Sequence, residues 1–239
     1  MKVLKMLVAM LLIAASLIIF TYAIEKKETS DSLIINSESD SVKKNSKKIT
    51  VVIDAGHGGF DGGALASDKS AEKDLNLEYA LTLERILSDM GIETVMTRSD
   101  DSALAESGEN RKARDLKRRL EIASEKKDSI FVSIHMNKFS DERVKGATVY
   151  YSPNHEDGRK IAESIMKMLE NNLSEAGKRP IKEADSSIYI LKRITCPAIL
   201  FECGFISNKE ELCRLKDEEY KEKLMSALAM SIKNYIEEQ

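Results

Sequence analysis

Residues 50–64, TVVIDAGHGGFDGGA, indicate the fold class and supply the first candidate functional side chain. The opening TVVI is β-branched or apolar and predicts a buried strand. The chain then enters a loop of five glycines around His57, and glycine lets a backbone approach a bound group closely. Ligands bind at the carboxyl ends of strands in α/β sheets, so we expect His57 at a site opening. A core histidine is the alternative, whereas a phosphate loop would need a Gly-Lys-Ser/Thr ending that is missing.

Composition fits one sizeable globular domain with appendages. The chain has 239 residues, is 42% hydrophobic and carries a formal net charge of −3. This near-neutral net charge does not indicate nucleic acid binding. The three cysteines, Cys196, Cys203 and Cys213, form no CxxC pair and are odd in number. This argues against a structural zinc knuckle and a complete disulfide framework, and Cys203 is expected to be a small buried residue.

The amino terminus is predicted to carry an export signal. Lys2 and Lys5 precede an uncharged run over residues 6–24, which is about long enough to span a bilayer. We expect the rest of the chain outside the cytoplasm, with retention of the segment as a membrane anchor favoured over cleavage near residues 21–23. The organisation predicted is a signal or anchor segment at 1–24, a polar flexible linker at 25–48 and a catalytic domain at 49–239.

Beyond the glycine loop, strand and helix patterns alternate. Five further strands are predicted at residues 92–97, 130–135, 146–151, 188–191 and 198–202. Helices are predicted at residues 75–90, 111–126, 158–173 and 220–236. Ser207 and Glu210 form a capping box for one more short helix. Continuous apolar strands separated by helices predict a single α/β domain, with a twisted, mostly parallel or mixed sheet of about six strands and helices on both faces.

Polar residues at strand ends form a candidate catalytic group. His57, His135 and Glu202 each end an apolar strand, and Glu72 lies where the first helix begins. Two neutral imidazoles and one carboxylate commonly hold a catalytic Zn²⁺ with one position open for water. A further carboxylate can take a proton from that water. We interpret Glu202 as this base, because a buried strand-end charge is costly without a task. Spacing alone leaves the roles of the two glutamates open.

A family resemblance rests on five motifs that occur in order. They are DAGHGGFDGGA at 54–64, EKDLNL at 72–77, TRSDD at 97–101, SIHMN at 133–137 and PAILFECGFISN at 197–208. Together they resemble the zinc-dependent N-acetylmuramoyl-L-alanine amidases of the amidase-3 family, over about residues 48–238. The resemblance implies a twisted mixed sheet between helices. It also implies Zn²⁺ held by His57, Glu72 and His135, with Glu202 as the catalytic residue.

Within that family, the chain resembles the spore-cortex type most. The shared features are ESGENRKARDLKRR at 106–119, Gly62 where most members have proline, and one amino-terminal hydrophobic segment without wall-binding repeats. The resemblance implies hydrolysis of the amide between N-acetylmuramic acid and L-alanine in peptidoglycan, for muramic-δ-lactam formation in the cortex. It further implies a location between the forespore membranes and a helper protein from the sporulation wall machinery.

Several alternatives stay open at this point. A membrane-tethered peptidoglycan-binding or scaffold protein could keep the fold without turnover; loss of Glu202 or a ligand would indicate it, and none is lost. The six basic residues between positions 111 and 119 suit an acidic polymer, a partner or, more commonly, a solvated helix face. His155 is expected in a surface loop. Asp54 and Asn137 flank the ligands and either orient them or make loop-stabilising hydrogen bonds.

Overall fold

The computed structural model describes residues 48–239 except 67, 106, 107 and 178. The chain divides into residues 1–46 and 47–239, and the described residues belong to the second unit. The predicted signal or anchor and almost all of the predicted linker lie outside them, so the domain boundaries stay predictions. Among the described residues, no helix is long and apolar enough to cross a bilayer.

Six strands and five helices make up the described part of the chain. In chain order they are β1 Thr50–Ala55, α1 Glu72–Asp89, β2 Thr94–Met96, α2 Arg111–Ser124, β3 Ser129–Asn137, β4 Thr148–Tyr151, α3 Glu156–Asn172, β5 Lys182–Glu183, β6 Ala198–Phe205, α4 Lys209–Leu215 and α5 Glu218–Glu237. The sheet order is β2-β1-β3-β6-β4-β5, and only the β4–β6 pair among these is antiparallel. The prediction of a mostly parallel, mixed six-stranded α/β sheet is confirmed.

Both faces of the sheet are covered, which explains the continuous apolar strands. All six residues of β1 are buried. Val51 and Ile53 pack into the core formed with α1, α3 and α5. Val52 points to the opposite face, where Phe131 of β3 and Ala123 of α2 form a second core. A strand covered on both faces has no polar side to display, so its sequence lacks alternation.

One predicted strand is wrong. Residues 188–191 coil into turns, in which the Lys192 N–H donates to the Ile188 carbonyl at 3.1 Å and the Ile194 N–H to the Ile190 carbonyl at 2.9 Å. The strand of this region is the two-residue β5 instead. Ile190 and Leu191 are buried against one face of the sheet. Their apolar character therefore reflects packing onto the sheet rather than pairing as a strand within it.

The predicted capping box at Ser207 is also wrong, by one residue. Asn208 is the N-cap of α4, and its Oδ1 accepts the Glu211 N–H at 2.9 Å. The Ser207 hydroxyl is occupied elsewhere, because it accepts the Phe139 N–H at 3.1 Å in the loop after β3. Asn and Ser are similarly good caps, so the sequence alone did not separate the two.

Glu211 joins the end of β6 to the start of β4. Its side chain is fully buried and accepts the Gly146 N–H at 2.9 Å and the Phe205 N–H at 2.7 Å. The Gly204 backbone passes so close that a Cβ there would lie 2.9 Å from the Glu211 carboxyl carbon. This carboxylate therefore satisfies backbone donors that the sheet itself leaves unpaired.

We expect Glu211→Ala to lower the free energy of unfolding by about 3 kcal/mol, because two buried N–H groups lose their acceptor. Urea denaturation followed by circular dichroism measures the change. The matched control is Glu210→Ala, at the exposed neighbouring position, for which a change within about 0.5 kcal/mol is expected. Equal effects of the two substitutions would contradict this role for Glu211.

Candidate metal centre

The carboxyl end of β1 is anchored by a buried ion pair. Asp54 Oδ1 lies 2.6 Å from Arg119 Nη1, and the Asp54 carboxylate also accepts hydroxyl hydrogen bonds from Thr97 and Ser133, both at 2.7 Å. Burial opposes ionisation, yet Arg119 and the two hydroxyls hold the pKa of Asp54 below its ordinary value. These contacts are structural, and none of them reaches a histidine of the site. Of the two alternatives for Asp54, the structure favours the loop-stabilising one.

Two arginines hold the backbone that carries His57. Arg119 donates to the carbonyls of Ala55, at 2.8 Å, and of His57. Arg98 donates to the carbonyls of Ala55, at 2.8 Å, and Gly56, at 3.0 Å. His57 has φ of 62°, a left-handed conformation that is uncommon outside glycine. Surrounding structure must maintain such a conformation, and these hydrogen bonds on both sides of His57 do so.

Two glycines of the loop allow the site to close. A Cβ at Gly56 would lie 2.3 Å from the His135 imidazole. At Gly63, where φ is 67°, a Cβ would lie 2.6 Å from Glu72 Oε2 and 2.8 Å from the His57 ring. Any side chain at either position would displace a residue of the cluster. The glycines around His57 therefore serve close approach as well as turning.

The structure brings His57, Glu72 and His135 together. His57 Nε2 lies 3.2 Å from Glu72 Oε1, and His135 Nδ1 lies 2.9 Å from the same oxygen. One ligand atom from each residue lies within 4.8 Å of the other two. The imidazole rings are 5.0 Å apart and inclined at 77°. Two ring nitrogens converging on one carboxylate oxygen fit the donor set of a catalytic zinc site.

The position of Glu72 favours its charged form. It is the first residue of α1, where the helix dipole stabilises negative charge, and its Oε2 accepts the Ala64 N–H at 2.9 Å. Burial opposes ionisation, but the two histidines hold the pKa of Glu72 well below its usual range. Burial would also lower the pKa of His57, but Glu72 and Asp61 raise it above the ordinary value.

Sequence reasoning missed Asn76 and Asp61. The Asn76 amide donates to Glu72 Oε1 at 3.3 Å and to the Gly56 carbonyl at 3.1 Å. Its position four residues after Glu72 on a helix is a signal that the sequence offered. The Asp61 carboxylate lies 3.0 Å from His57 Nδ1, and no sequence spacing indicates that contact because it depends on the fold of the glycine loop.

Glu202 lies beside the histidines. It is the register partner of His135 across the β3–β6 pair, and both side chains line a cavity of about 400 Å³ that His57 also lines. Glu202 Oε2 is buried and has no hydrogen-bond partner among the described residues. Burial raises the pKa of Glu202 to about 7, despite the opposing effect of His135. An unpartnered carboxyl group at a cavity wall is available to a substrate or a water molecule.

The cavity walls come from segments that sequence patterns did not connect. One wall is α2, through Lys112 and Leu116, and another is formed by the turns at residues 187–191. Tyr150 of β4 also lines the cavity. The segment predicted as a strand at residues 188–191 thus forms turns that line the cavity.

The remaining candidates lie elsewhere or have other roles. His155 is the N-cap of α3, and its Nδ1 accepts the Asp157 N–H at 3.3 Å, outside the cluster. Asn137 uses its backbone carbonyl to accept the Ile206 N–H at 2.8 Å. Cys203 is buried as predicted, and all three cysteines are free.

The basic run on α2 divides into two groups. Arg119 is buried in ion pairs with Asp54 and Asp115, so a solvated-face interpretation does not apply to it. Lys117 and Arg118 are exposed and lie near Glu121 on the helix surface, as the solvated interpretation expects.

Known proteins have the same fold and are similar in sequence. Residues 51–234 match the family model described as N-acetylmuramoyl-L-alanine amidase. The germination-specific N-acetylmuramoyl-L-alanine amidase of Bacillus subtilis strain 168 is 32% identical over 192 residues, covering 79% of this chain and 80% of that protein. The CwlD amidase of Clostridioides difficile, solved in complex with the GerS lipoprotein, is 36% identical with a TM-score of 0.75, over 80% of this chain and 100% of that one.

A third similar protein comes from another organism. The N-acetylmuramoyl-L-alanine amidase AmiC2 of Nostoc punctiforme is 32% identical with a TM-score of 0.69, over 80% of this chain and 99% of that one. The family model, these relatives and the shared fold agree with the motifs of the sequence. The chain therefore belongs to the amidase-3 family of N-acetylmuramoyl-L-alanine amidases, and its activity is that of a peptidoglycan amidase.

Proposed function

We propose that the amidase is zinc-dependent, with Zn²⁺ held by His57, Glu72 and His135 and with Glu202 as the catalytic base. The observation that carries the proposal is the convergence of both imidazoles on Glu72 Oε1, next to a cavity that Glu202 lines. Three protein ligands suit a catalytic rather than a structural zinc, because a structural site takes four. When bound, zinc supplies a Lewis acid that polarises the scissile carbonyl and makes water more acidic.

Glu202 has the properties that a general base needs. Its Oε2 has no hydrogen-bond partner among the described residues, and its carboxyl group lines the same cavity as both histidines, within reach of a bound water molecule. Glu202 takes a proton from the water that attacks the amide carbon. It then delivers that proton to the nitrogen of L-alanine as the carbon–nitrogen bond breaks. The products are a free lactyl carboxylate on muramic acid and a stem peptide with a free amine.

The cavity provides room for this junction of sugar and peptide. Its volume of about 400 Å³ lies within the range of small-ligand sites. Tyr150 and Leu200 offer apolar surface, and Lys112 places a cation at the wall. A lactyl group joined to L-alanine presents both methyl groups and amide polarity, which this lining matches.

The cellular role that we propose is muramic-δ-lactam formation in the spore cortex. It is supported by the similarity to the germination-specific amidase of Bacillus subtilis. The CwlD structure with the GerS lipoprotein supports a helper protein of the sporulation wall machinery. The uncharged run at residues 6–24 supports export and attachment to a membrane, in the space between the forespore membranes.

The metal proposal is tested with the three histidines of the chain. We expect His57→Ala and His135→Ala each to abolish zinc retention, because each removes one of three donors. Mass spectrometry of metal content in the purified protein measures the loss. His155→Ala is the matched control, since it removes a histidine outside the cluster. Stoichiometric zinc in the His57→Ala, His135→Ala double variant would exclude the site.

The catalytic proposal separates turnover from metal binding. We expect Glu202→Gln to keep the fold and the zinc, because the amide is nearly isosteric, and to lose at least about a hundredfold in rate. The rate is measured as stem peptide released from purified muropeptide, with zinc determined on the same sample. Glu183→Gln, on the exposed β5, is the control.

Two outcomes would revise the assignment. Undiminished turnover in zinc-loaded Glu202→Gln would remove Glu202 from the mechanism. Loss of zinc together with activity would make Glu202 a ligand and reopen the role of Glu72. A wild-type protein that binds peptidoglycan without releasing peptide would instead favour the binding or scaffold alternative.

The location is tested on whole cells. Because residues 6–24 are predicted to form an export signal, we expect protease added to intact spheroplasts to digest the domain. A cytoplasmic protein probed in the same sample should stay intact and serves as the control. Protection of both proteins would place the domain in the cytoplasm.

A further inference from the structure

Asp61 reaches back to His57 within one tight loop. The Gly58 N–H donates to the Asp61 carbonyl at 2.9 Å, and the Asp61 N–H to the Gly58 carbonyl at 3.0 Å. This paired contact returns the Asp61 side chain to the imidazole four residues earlier, where Oδ2 lies 3.0 Å from His57 Nδ1. Oδ1 is free of the imidazole and accepts the Gly63 N–H at 3.3 Å.

The contact with Asp61 offers a hydrogen-bond acceptor to the ring nitrogen of His57 that a metal ion at Nε2 would leave free. A neutral imidazole has one N–H and one lone pair, and a carboxylate can only accept. Both ring nitrogens of His57 face a carboxylate, Glu72 at Nε2 and Asp61 at Nδ1. With Zn²⁺ on the Nε2 lone pair, the remaining N–H would lie on Nδ1 and donate to Asp61. Nε2 is the nitrogen that lies 3.2 Å from Glu72 Oε1, on the side where the ligand atoms meet.

His135 and His57 differ in how firmly the surrounding structure fixes their side chains. His135 lies within β3, between β1 and β6, with its ring against Gly56. His57 lies in a loop with φ of 62°, where no strand pairing fixes its side chain. In the described part of the chain, Asp61 is the carboxylate that contacts Nδ1 of His57, the ring nitrogen that points away from Glu72.

The backbone of the loop has other supports. Asp101 accepts the Gly59 N–H at 2.9 Å, and Lys73 donates to the Gly59 carbonyl at 2.9 Å and to Asp101 at 2.6 Å. Lys112 also approaches Asp61 Oδ2, at 3.2 Å, but its side chain is 65% exposed and solvent screens that pair. The distinctive contact of the Asp61 carboxylate is therefore the one with His57.

We infer that Asp61 is a positioning residue of the amidase, which sets the tautomer and orientation of His57 for metal binding. The inference rests on the proposed zinc site. Carboxylates that hydrogen-bond a metal-binding histidine fix its ring and raise its basicity, and their loss typically costs 10–100-fold in metal affinity. Asp61 acts on the reaction through His57, which it contacts directly.

The test compares zinc affinity in three variants of the full chain. Asp61→Asn keeps an oxygen that can accept the Gly63 N–H but removes the charge, and Asp61→Ala removes both. Asp185→Asn is the matched control, because Asp185 lines the same cavity and accepts from Ser187 rather than from a histidine. Competition with a chromophoric chelator gives the zinc dissociation constant. The visible spectrum of the cobalt-substituted protein reports on ligand geometry.

We expect the zinc dissociation constant to rise in the order wild type, Asp61→Asn, Asp61→Ala, reaching about 10–100-fold in the alanine variant. The cobalt spectrum should shift in both Asp61 variants and stay unchanged in Asp185→Asn. The thermal midpoint of the metal-free proteins shows whether each variant is folded. If Asp61→Ala does not fold, Asp61→Asn carries the test.

Two results would overturn the inference. Dissociation constants within twofold of wild type, with an unchanged cobalt spectrum, would leave Asp61 as a loop residue only. Complete loss of zinc in a folded Asp61 variant, equal to that in His57→Ala, would make Asp61 a ligand. A wild-type protein that binds no zinc would instead refute the proposed metal site, so the two failures are distinguishable.

Discussion

The buried ion pair between Asp54 and Arg119 is the interaction on which the site depends. Both side chains are 2% exposed, so their desolvation is costly, and removing one partner would leave an uncompensated charge in the core. The pair is balanced by hydroxyl donors to Asp54 and by Asp115 beside Arg119. Because Arg119 also donates to the His57 carbonyl, one side chain ties α2, β1 and the glycine loop together.

The positions of the site residues in turn depend on the backbone around His57. The arginines hold the carbonyls of residues 55–57, which keeps His57 in a left-handed conformation. The glycines leave space for Glu72 and His135 to approach that loop. The sheet places Glu202 beside His135 through strand register alone. Site residues held by rigid elements need little rearrangement to act, which is the general requirement for a preorganised centre.

Sequence patterns predicted the sheet, its helices and the convergence of His57, Glu72 and His135, because strand ends and helix starts are local features. They did not predict Arg119 as a buried residue, since six basic residues in a short run indicate a solvated face. The Arg119–Asp54 contact joins positions 65 residues apart, which no periodicity reveals. The turns at 188–191 were misjudged because apolar character does not distinguish pairing from packing. The roles of the ligands and of Glu202 stay predictions.

The two edges of the sheet are unusually short. β2 has three residues and β5 has two, although the central β3 has nine. An unpaired edge is a template on which another chain can add a strand, and a short one offers few backbone groups for such an addition. Self-association through the sheet therefore has little hydrogen bonding to gain.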